Sequence, residues 1–413
     1  MMMRSFFLMV LAFAIAGQSK ASHKIFNPQI KTLQVIVNND WISPLPVMRM
    51  GQGDVLNISF DELSHTFHRY VYHLEHCEAD WTKSEELFES DWLRGFNDNP
   101  IEEYQNSINT TVLYTHYKMQ IPNDRCGLKM SGNYRLSVYD ELNDNECVLT
   151  AEFMVTEDIV NVGLSMTTNT DVDLNNSHQQ IAMKVNYNNA IRVTNLNEQI
   201  YTVLMQNGRE QTARYNVRPN LINNVELGWD HRREFIFDAG NEYHKFEILA
   251  TDHATMGIDH MRWDGNHFNA YPFADTQRRN YLKDEDANGA FYIRNSDNIE
   301  NDYTTDYVFV HYQLSVPQYS DSQVRVSGQW TTDYNLRNYI MEYDESKNAY
   351  FATILQKQGY YNYEYLLYDQ EGNCQLAPAE GNFFEAENSY QALVYYRGVG
   401  ERTWRLVGYR QLR

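Results

Sequence analysis

Four histidines and a cysteine crowd one short stretch: His65, His68, His73, His76 and Cys77. Imidazole nitrogens and a thiolate are the usual ligands of zinc. The stretch Tyr70-Val71-Tyr72-His73-Leu74-Glu75-His76-Cys77 alternates, however, with Tyr70, Tyr72 and Leu74 on one face and Val71, His73 and Glu75 on the other. Neighbours on a strand point to opposite faces, so His76 and Cys77 cannot easily share one ligand sphere. His253, His260 and His267 recur every seven residues, but no Cys or Glu stands near them at ligand spacing. Asp284-Glu285-Asp286-Ala287-Asn288-Gly289 imitates the start of a calcium loop, with acidic oxygens at alternate positions and a glycine at the sharp turn. Its twelfth position, where a bidentate Glu is needed, is Asn295. Asn-Gly is also a strong hairpin signal. A plain turn between strand residues Tyr281 and Phe291 is therefore expected, and no metal site or cofactor is assigned.

Nucleophilic chemistry has no motif to rest on. The sequence lacks Gly-x-Ser-x-Gly, His-Glu-x-x-His and a P-loop. Carboxylate pairs are too common in so acidic a chain to mark a glycosidase. No catalytic residue is assigned and the chain is not expected to be an enzyme. Tyr361, Tyr363 and Tyr365 share one strand face with Leu367, and amphipathic rings suit sugars. The same periodicity fits core packing, which is the favoured expectation. An exported multi-domain glycan-binding protein is the alternative that this face would support.

The elements that must position these residues are strands. The 413 residues include 31 Tyr, 19 Phe and 7 Trp against only 9 Pro, a supply suited to pleated, half-buried surfaces. No long segment has helical periodicity. Thr82-Lys83-Ser84-Glu85 has the form of a capping box, so a short helix to Phe88 is expected. The fold class is all-β, as tandem immunoglobulin- or fibronectin-like and early-set-like sandwiches. The first domain is expected at 22–157, with Leu33, Val35 and Val37 in its first strand and Tyr134, Leu136 and Val138 on one face of a later one. A middle β domain is expected at 158–316. Its strands are Ile181–Val185, Tyr201–Gln206, Glu234–Phe237 and Lys245–Leu249, its turns lie at Asn207-Gly208 and Ala239-Gly240-Asn241, and its long loop runs from Thr251 to Asn280. The third domain, 317–413, is expected to resemble early-set sandwiches. It carries Val324, Val326 and Gly328 before Trp330, then Tyr350–Leu355 and Tyr360–Tyr368.

Residues 1–21 read as a cleaved export signal, with Arg4 ahead of the apolar run Phe6 to Ala16. That run is too short to cross a bilayer, so no direct membrane insertion is expected. Cys77, Cys126, Cys147 and Cys374 have no metal spacing; at most one disulfide, such as Cys126–Cys147, or isolated small core residues are the alternatives. With 34 Lys+Arg against 55 Asp+Glu, the net charge is −21. Such a surface repels phosphate backbones, which excludes nucleic acid as an expected partner.

A series of short motifs spans the chain in order. The first domain carries His76-Cys77-Glu78-Ala79-Asp80-Trp81, Leu93-Arg94-Gly95-Phe96, Ser107-Ile108-Asn109-Thr110, Tyr114-Thr115-His116-Tyr117, Ile121-Pro122-Asn123 and Ser131-Gly132-Asn133-Tyr134. Next come Gln206-Asn207-Gly208-Arg209, Gly240-Asn241-Glu242-Tyr243, Asp286-Ala287-Asn288-Gly289 and Asp306-Tyr307-Val308-Phe309-Val310. The last are Glu385-Ala386-Glu387-Asn388, Tyr395-Tyr396-Arg397 and Arg405-Leu406-Val407-Gly408-Tyr409. In this order the chain resembles the plug protein family of the type IX secretion system of Bacteroidetes. It departs at Glu210, where a tryptophan or similar bulky residue is the family expectation. The resemblance implies a periplasmic protein without catalytic activity. It would bind the large outer-membrane translocon barrel and close its periplasmic opening when no substrate passes. It does not say which residues touch the barrel.

Overall fold

Alternating apolar and aromatic residues fold this chain into strand after strand. The computed structural model describes residues 22–188 and 190–413. The expected export signal, 1–21, lies outside the described residues. Among them the three α-helices are single turns of four residues each, so the fold is all-β. The short helix forms beyond the stretch the sequence suggested, at Glu89–Trp92. Thr82 instead donates both its N–H and its hydroxyl to Asp80 in a local turn, which occupies the supposed cap. The Asp91 carboxylate accepts from the Phe88 N–H and starts the real one.

The first sandwich packs the strands Ile30–Val37, Leu56–Glu62, Thr115–Ile121 and Glu103–Asn106 against Tyr70–Cys77, Gly132–Asp140 and Glu146–Thr156. Tyr70, Tyr72, Leu74, Tyr134, Leu136 and Val138 fill its core as the alternation requires. The first strand breaks its own alternation. Thr32 has φ of 53°, the register slips between Lys31 and Gln34, and Leu33 is buried while Val35 is only half-buried. A bulge of this kind rotates the strand by one residue.

The other two cores divide the chain differently from 158–316 and 317–413. One cluster joins Val160, Ile181, Trp229 and Phe237 to Tyr390, Val394 and Val407. The other runs from Phe246 to Ala379 without a break at residue 316. The reason is topological. The C-terminal hairpin of Tyr390–Tyr396 and Arg405–Leu412 returns to pair with Ile200–Gln206, register Val203↔Leu393. Residues 158–240 and 381–413 therefore build one sandwich, the middle unit. Residues 241–380 form a unit inserted within it, whose two sheets are organised around Gly359–Tyr368 and Tyr307–Ser315.

The stretch 251–280 is not a long loop. It contains the hairpin Ile258–Trp263 with Phe268–Pro272, whose outward face is polar or exposed and so hid the pattern. Here His260, Tyr271 and His311 stack in a ladder, rings 4.3 and 4.4 Å apart and 8° from parallel. The expected strand at Glu234–Phe237 begins only at Ile236, after a 3-10 turn.

Candidate functional site

The chemistry-bearing residues lie where the three units meet. The central group sits between the first and inserted units. Asp61 is the penultimate residue of the Leu56–Glu62 strand; Lys357 ends Ala349–Lys357 and reaches it across the seam, Nζ to Oδ2 2.7 Å, with both side chains 1 % exposed. Tyr307 donates its hydroxyl proton to the same oxygen at 2.6 Å, and His116 Nδ1 donates to Oδ1 at 2.7 Å. Tyr307 has no second proton, so Thr32 must donate at the 2.6 Å contact between their hydroxyls. That contact gives the strained backbone of Thr32 a purpose, since the bulge presents its side chain across the seam.

Lys357 is satisfied in three directions: the Asp61 carboxylate, the Asp302 carbonyl at 2.6 Å, and the face of Tyr114 4.1 Å away. Burial lowers its pKa, and the neighbouring Asp61 offsets only part of that. Burial would raise the pKa of Asp61, but the Lys357 charge and the His116 bond outweigh it and hold the carboxyl below its ordinary value. The loop before this group is clamped as well. Asp306 accepts from Thr111 N–H and hydroxyl and from Val112 N–H, and Tyr114 donates to the Thr305 carbonyl at 2.7 Å. A charge this enclosed holds the two units in one relation, although His116 Nε2 makes no hydrogen bond and lies 3.7 Å from the Asp302 carboxylate.

The middle unit is joined by different means. Thr156 and Leu406 form a single parallel bridge that makes one 10-stranded sheet of the two units. Around it Leu45, Trp81, Met154, Met205, Leu393, Tyr395 and Leu406 share an apolar cluster. Tyr395 donates to Asn133 Oδ1 at 2.8 Å, and Arg405 pairs with Glu157 at 2.6 Å. At the junction of all three units, Gly208 has φ of 66°, and a Cβ there would meet the Pro44 carbonyl oxygen at 2.6 Å. Only glycine fits a turn pressed that closely on another backbone. Next to it Arg209 pairs with Glu364 of the inserted unit at 2.5 Å. A cavity of about 250 Å³ opens here, lined by Trp41, Trp81, Arg209, Tyr243 and Gln329 among others.

The inserted unit holds a second buried group of its own. His244 Nδ1 lies 2.9 Å from Asp275 and Nε2 2.9 Å from Glu380, which Arg278 also bonds. Burial alone would lower the His244 pKa, but the Glu380 and Asp275 carboxylates raise it to about 9. Burial would raise that of Glu380, but His244 and Arg278 hold it at about 2. The imidazolium is bound at both nitrogens and therefore braces the unit.

The residues singled out from the sequence scatter. His65 bonds Ser107, His68 bonds Asp140, His73 bonds Asp98 and His76 bonds Ser84 and the Ser131 carbonyl. His76 packs beside Tyr134 and Trp92 while Cys77 joins the opposite apolar cluster, as alternation requires. His253 and His260 pair with adjacent Asp252 and Asp259, and His267 lies edge-on to Phe309. Among the described residues, no group of three His, Cys, Asp or Glu could hold a metal ion. Cys77, Cys126, Cys147 and Cys374 are all free thiols.

Asn288 and Gly289 both have positive φ, and Ala290 N–H bonds the Ala287 carbonyl, so this segment is a tight turn. It is not a hairpin, since Phe291–Ile293 pairs with Gly359–Tyr368 and Tyr281 bonds Glu242 outside any strand. Lys245 bonds Asp284, so an ammonium already supplies the positive charge there. Tyr361, Tyr363 and Tyr365 are 2 %, 3 % and 0 % exposed, which withdraws the sugar-stacking platform and makes them core.

Sequence reasoning passed over Asp61, Lys357 and Thr32. Nothing in a lone Asp or Lys announces its burial. The motif residues Tyr114, His116, Asp306 and Tyr307 converge on them, however, just as Asn133 meets Tyr395 across the other seam. These motif residues mark the joints between units.

Residues 30–157 match the type 9 secretion system plug protein 1st domain. No curated protein matches the sequence. The crystal structure of a hypothetical protein from Parabacteroides merdae ATCC 43184 is 34 % identical, with a TM-score of 0.91 over 96 % of this chain and 100 % of that one. Carrying that first domain, the chain belongs to the type IX secretion system plug protein family, with the plug-like role in type IX secretion that the domain implies.

Proposed function

We propose that this protein is a non-enzymatic periplasmic plug that binds and closes the periplasmic opening of the outer-membrane translocon barrel of type IX secretion. The observation that carries the reading is family membership over the first unit. The joints support it. A wide barrel leaks unless a body of fixed shape covers its mouth, and three sandwiches locked by buried ion pairs and a shared sheet make such a body. The titratable groups at the joints are consumed by internal partners, as suits a part whose work is to fit.

The test is recovery of native protein with the barrel from solubilised outer membranes, together with entry of a small periplasm-impermeant dye in cells lacking the gene. Co-purification and increased dye entry are expected. Recovery wholly in the free soluble fraction, with dye entry unchanged by deletion, would refute the proposal.

A further inference from the structure

Charge is divided unequally among the three units. The first, 22–157, has 10 Lys+Arg against 21 Asp+Glu, and the inserted unit, 241–380, has 10 against 22. The middle unit, 158–240 with 381–413, has 12 against 12. A protein that is acidic overall thus carries a neutral, arginine-rich third.

Register fixes which loops of that third share an end. Asn186 pairs with both Asn161 and Glu226, and Ile200 pairs with Tyr396. The segments 158–160, 190–199, 223–225 and 397–404 therefore gather at one end of the sandwich. Tyr396 bonds the Arg192 carbonyl and Arg397 N–H bonds the Gln199 carbonyl, which ties two of these loops together. The opposite end is occupied, since Gln179 bonds the Phe384 and Ala386 carbonyls where the chain enters and leaves the inserted unit.

At the other end Arg402, Thr403 and Trp404 are held by Asp91 and Glu78 of the first unit, and the rest of its loops are unusually apolar for exposed segments. Val399 is 88 % exposed and Ile222 60 %, with Ile159 and Val225 also exposed. Arg192 and Arg397 are exposed on the same set of loops; Arg397 lies over Trp404 at 4.7 Å, and no carboxylate pairs with either arginine among the described residues. Exposed aliphatic side chains with unpaired arginines and few lysines match the composition of a protein interface core rather than that of a solvated loop.

We infer that this end of the middle unit is the docking face, and that its occupant is the barrel's periplasmic rim, presenting carboxylates among apolar side chains. The inference rests on the plug reading and adds the face and the chemistry. A carboxylate-bearing rim repels the two strongly acidic units and not the neutral one, so the long-range field turns the molecule with this end forward before contact. Unpaired arginines then meet carboxylates as the aliphatic side chains are covered.

The experiment compares full-length wild type, Ile222→Asp with Val399→Asp, Arg397→Glu, and a control, Leu282→Asp, on an exposed side chain of the inserted unit. Each is first checked for an unchanged melting curve, then titrated onto outer membranes that contain the translocon barrel and onto phosphatidylglycerol vesicles. A fall in barrel-dependent retention of about tenfold or more is expected for the double variant and for Arg397→Glu. The control should bind as wild type, and no protein should bind vesicles. Wild-type-like retention of both far-end variants would overturn the face while leaving the plug reading intact. Vesicle binding lost in the same variants would overturn the occupant in favour of lipid. Wild type that fails to bind at all would remove the plug reading, and this inference with it.

Discussion

Against the middle unit, the first sandwich continues its own sheet and buries Leu45, Met154, Leu393 and Leu406 together. Against the inserted unit it buries Asp61, His116 and Lys357 with Thr32, Tyr114 and Tyr307. The first seam is non-directional, and its stability is spread over many contacts, each tolerant of small shifts. The second is directional. It imposes one geometry, and it costs most when a single member is missing, because the remaining charge is then buried without a partner. One protein thus uses an apolar seam for strength and a polar seam for a defined angle between units.

The largest effect should come from breaking the polar seam on one side. Lys357→Met leaves Asp61 enclosed and unpaired, and should lower unfolding stability by about 3–5 kcal/mol in urea titration. Adding Asp61→Leu should restore much of the loss. A double variant no better than the single would mean that the charge pair does not govern this seam. In the apolar seam, Leu406→Ala should cost about 3 kcal/mol, and no second substitution nearby should rescue it, because the loss is cavity and transfer energy. Rescue by a polar partner change would erase the contrast between the seams.

The buried group inside the inserted unit sharpens the comparison through pH. His244 has a folded pKa of about 9 against 6.5 unfolded, so its contribution is full below 6.5 and is lost as pH rises through 9. Glu380, at about 2 against 4.5, contributes fully above 4.5 and loses its contribution as pH falls through 2. Stability should therefore decline between pH 6.5 and 9 with a slope near 1.4 kcal/mol per unit from this histidine. His244→Gln should flatten that slope in melts taken across the range. An unchanged slope would place the titration elsewhere. The smallest effect is expected from Tyr395→Phe, which removes one hydrogen bond to Asn133 from the mainly apolar seam and should cost about 1–2 kcal/mol by the same titration.

Much of the fold was legible in the sequence because strand alternation is local. Tyr70, Tyr72 and Leu74 point inward as their spacing requires, and so do Val324, Val326 and Tyr361 to Leu367. Alternation failed where a bulge shifted it, at Thr32, and where a hairpin is solvated on one side, at Ile258–Trp263. The division of the chain was hidden for another reason. Whether Tyr390–Tyr396 pairs with the strand before it in sequence or with Ile200–Gln206 is a long-range choice that its own pattern, apolar on both faces, does not encode. The joints were visible only as ordered motifs. That Tyr114, His116, Asp306 and Tyr307 belong together became clear once Asp61 and Lys357 were seen between them.

The returning C-terminal hairpin sets an order of events in time. As the chain is synthesised or threaded from its N-terminus, the first sandwich and the inserted one have all their strands before residue 381, and each can close as soon as it emerges. The middle one cannot, because Tyr390, Ala392, Val394 and Val407 of its core arrive last. Until then the Ile200–Gln206 strand has an open edge and Leu204 lacks its cover. The neutral unit is thus the last to be completed, and the final two dozen residues act as the latch that closes the whole molecule.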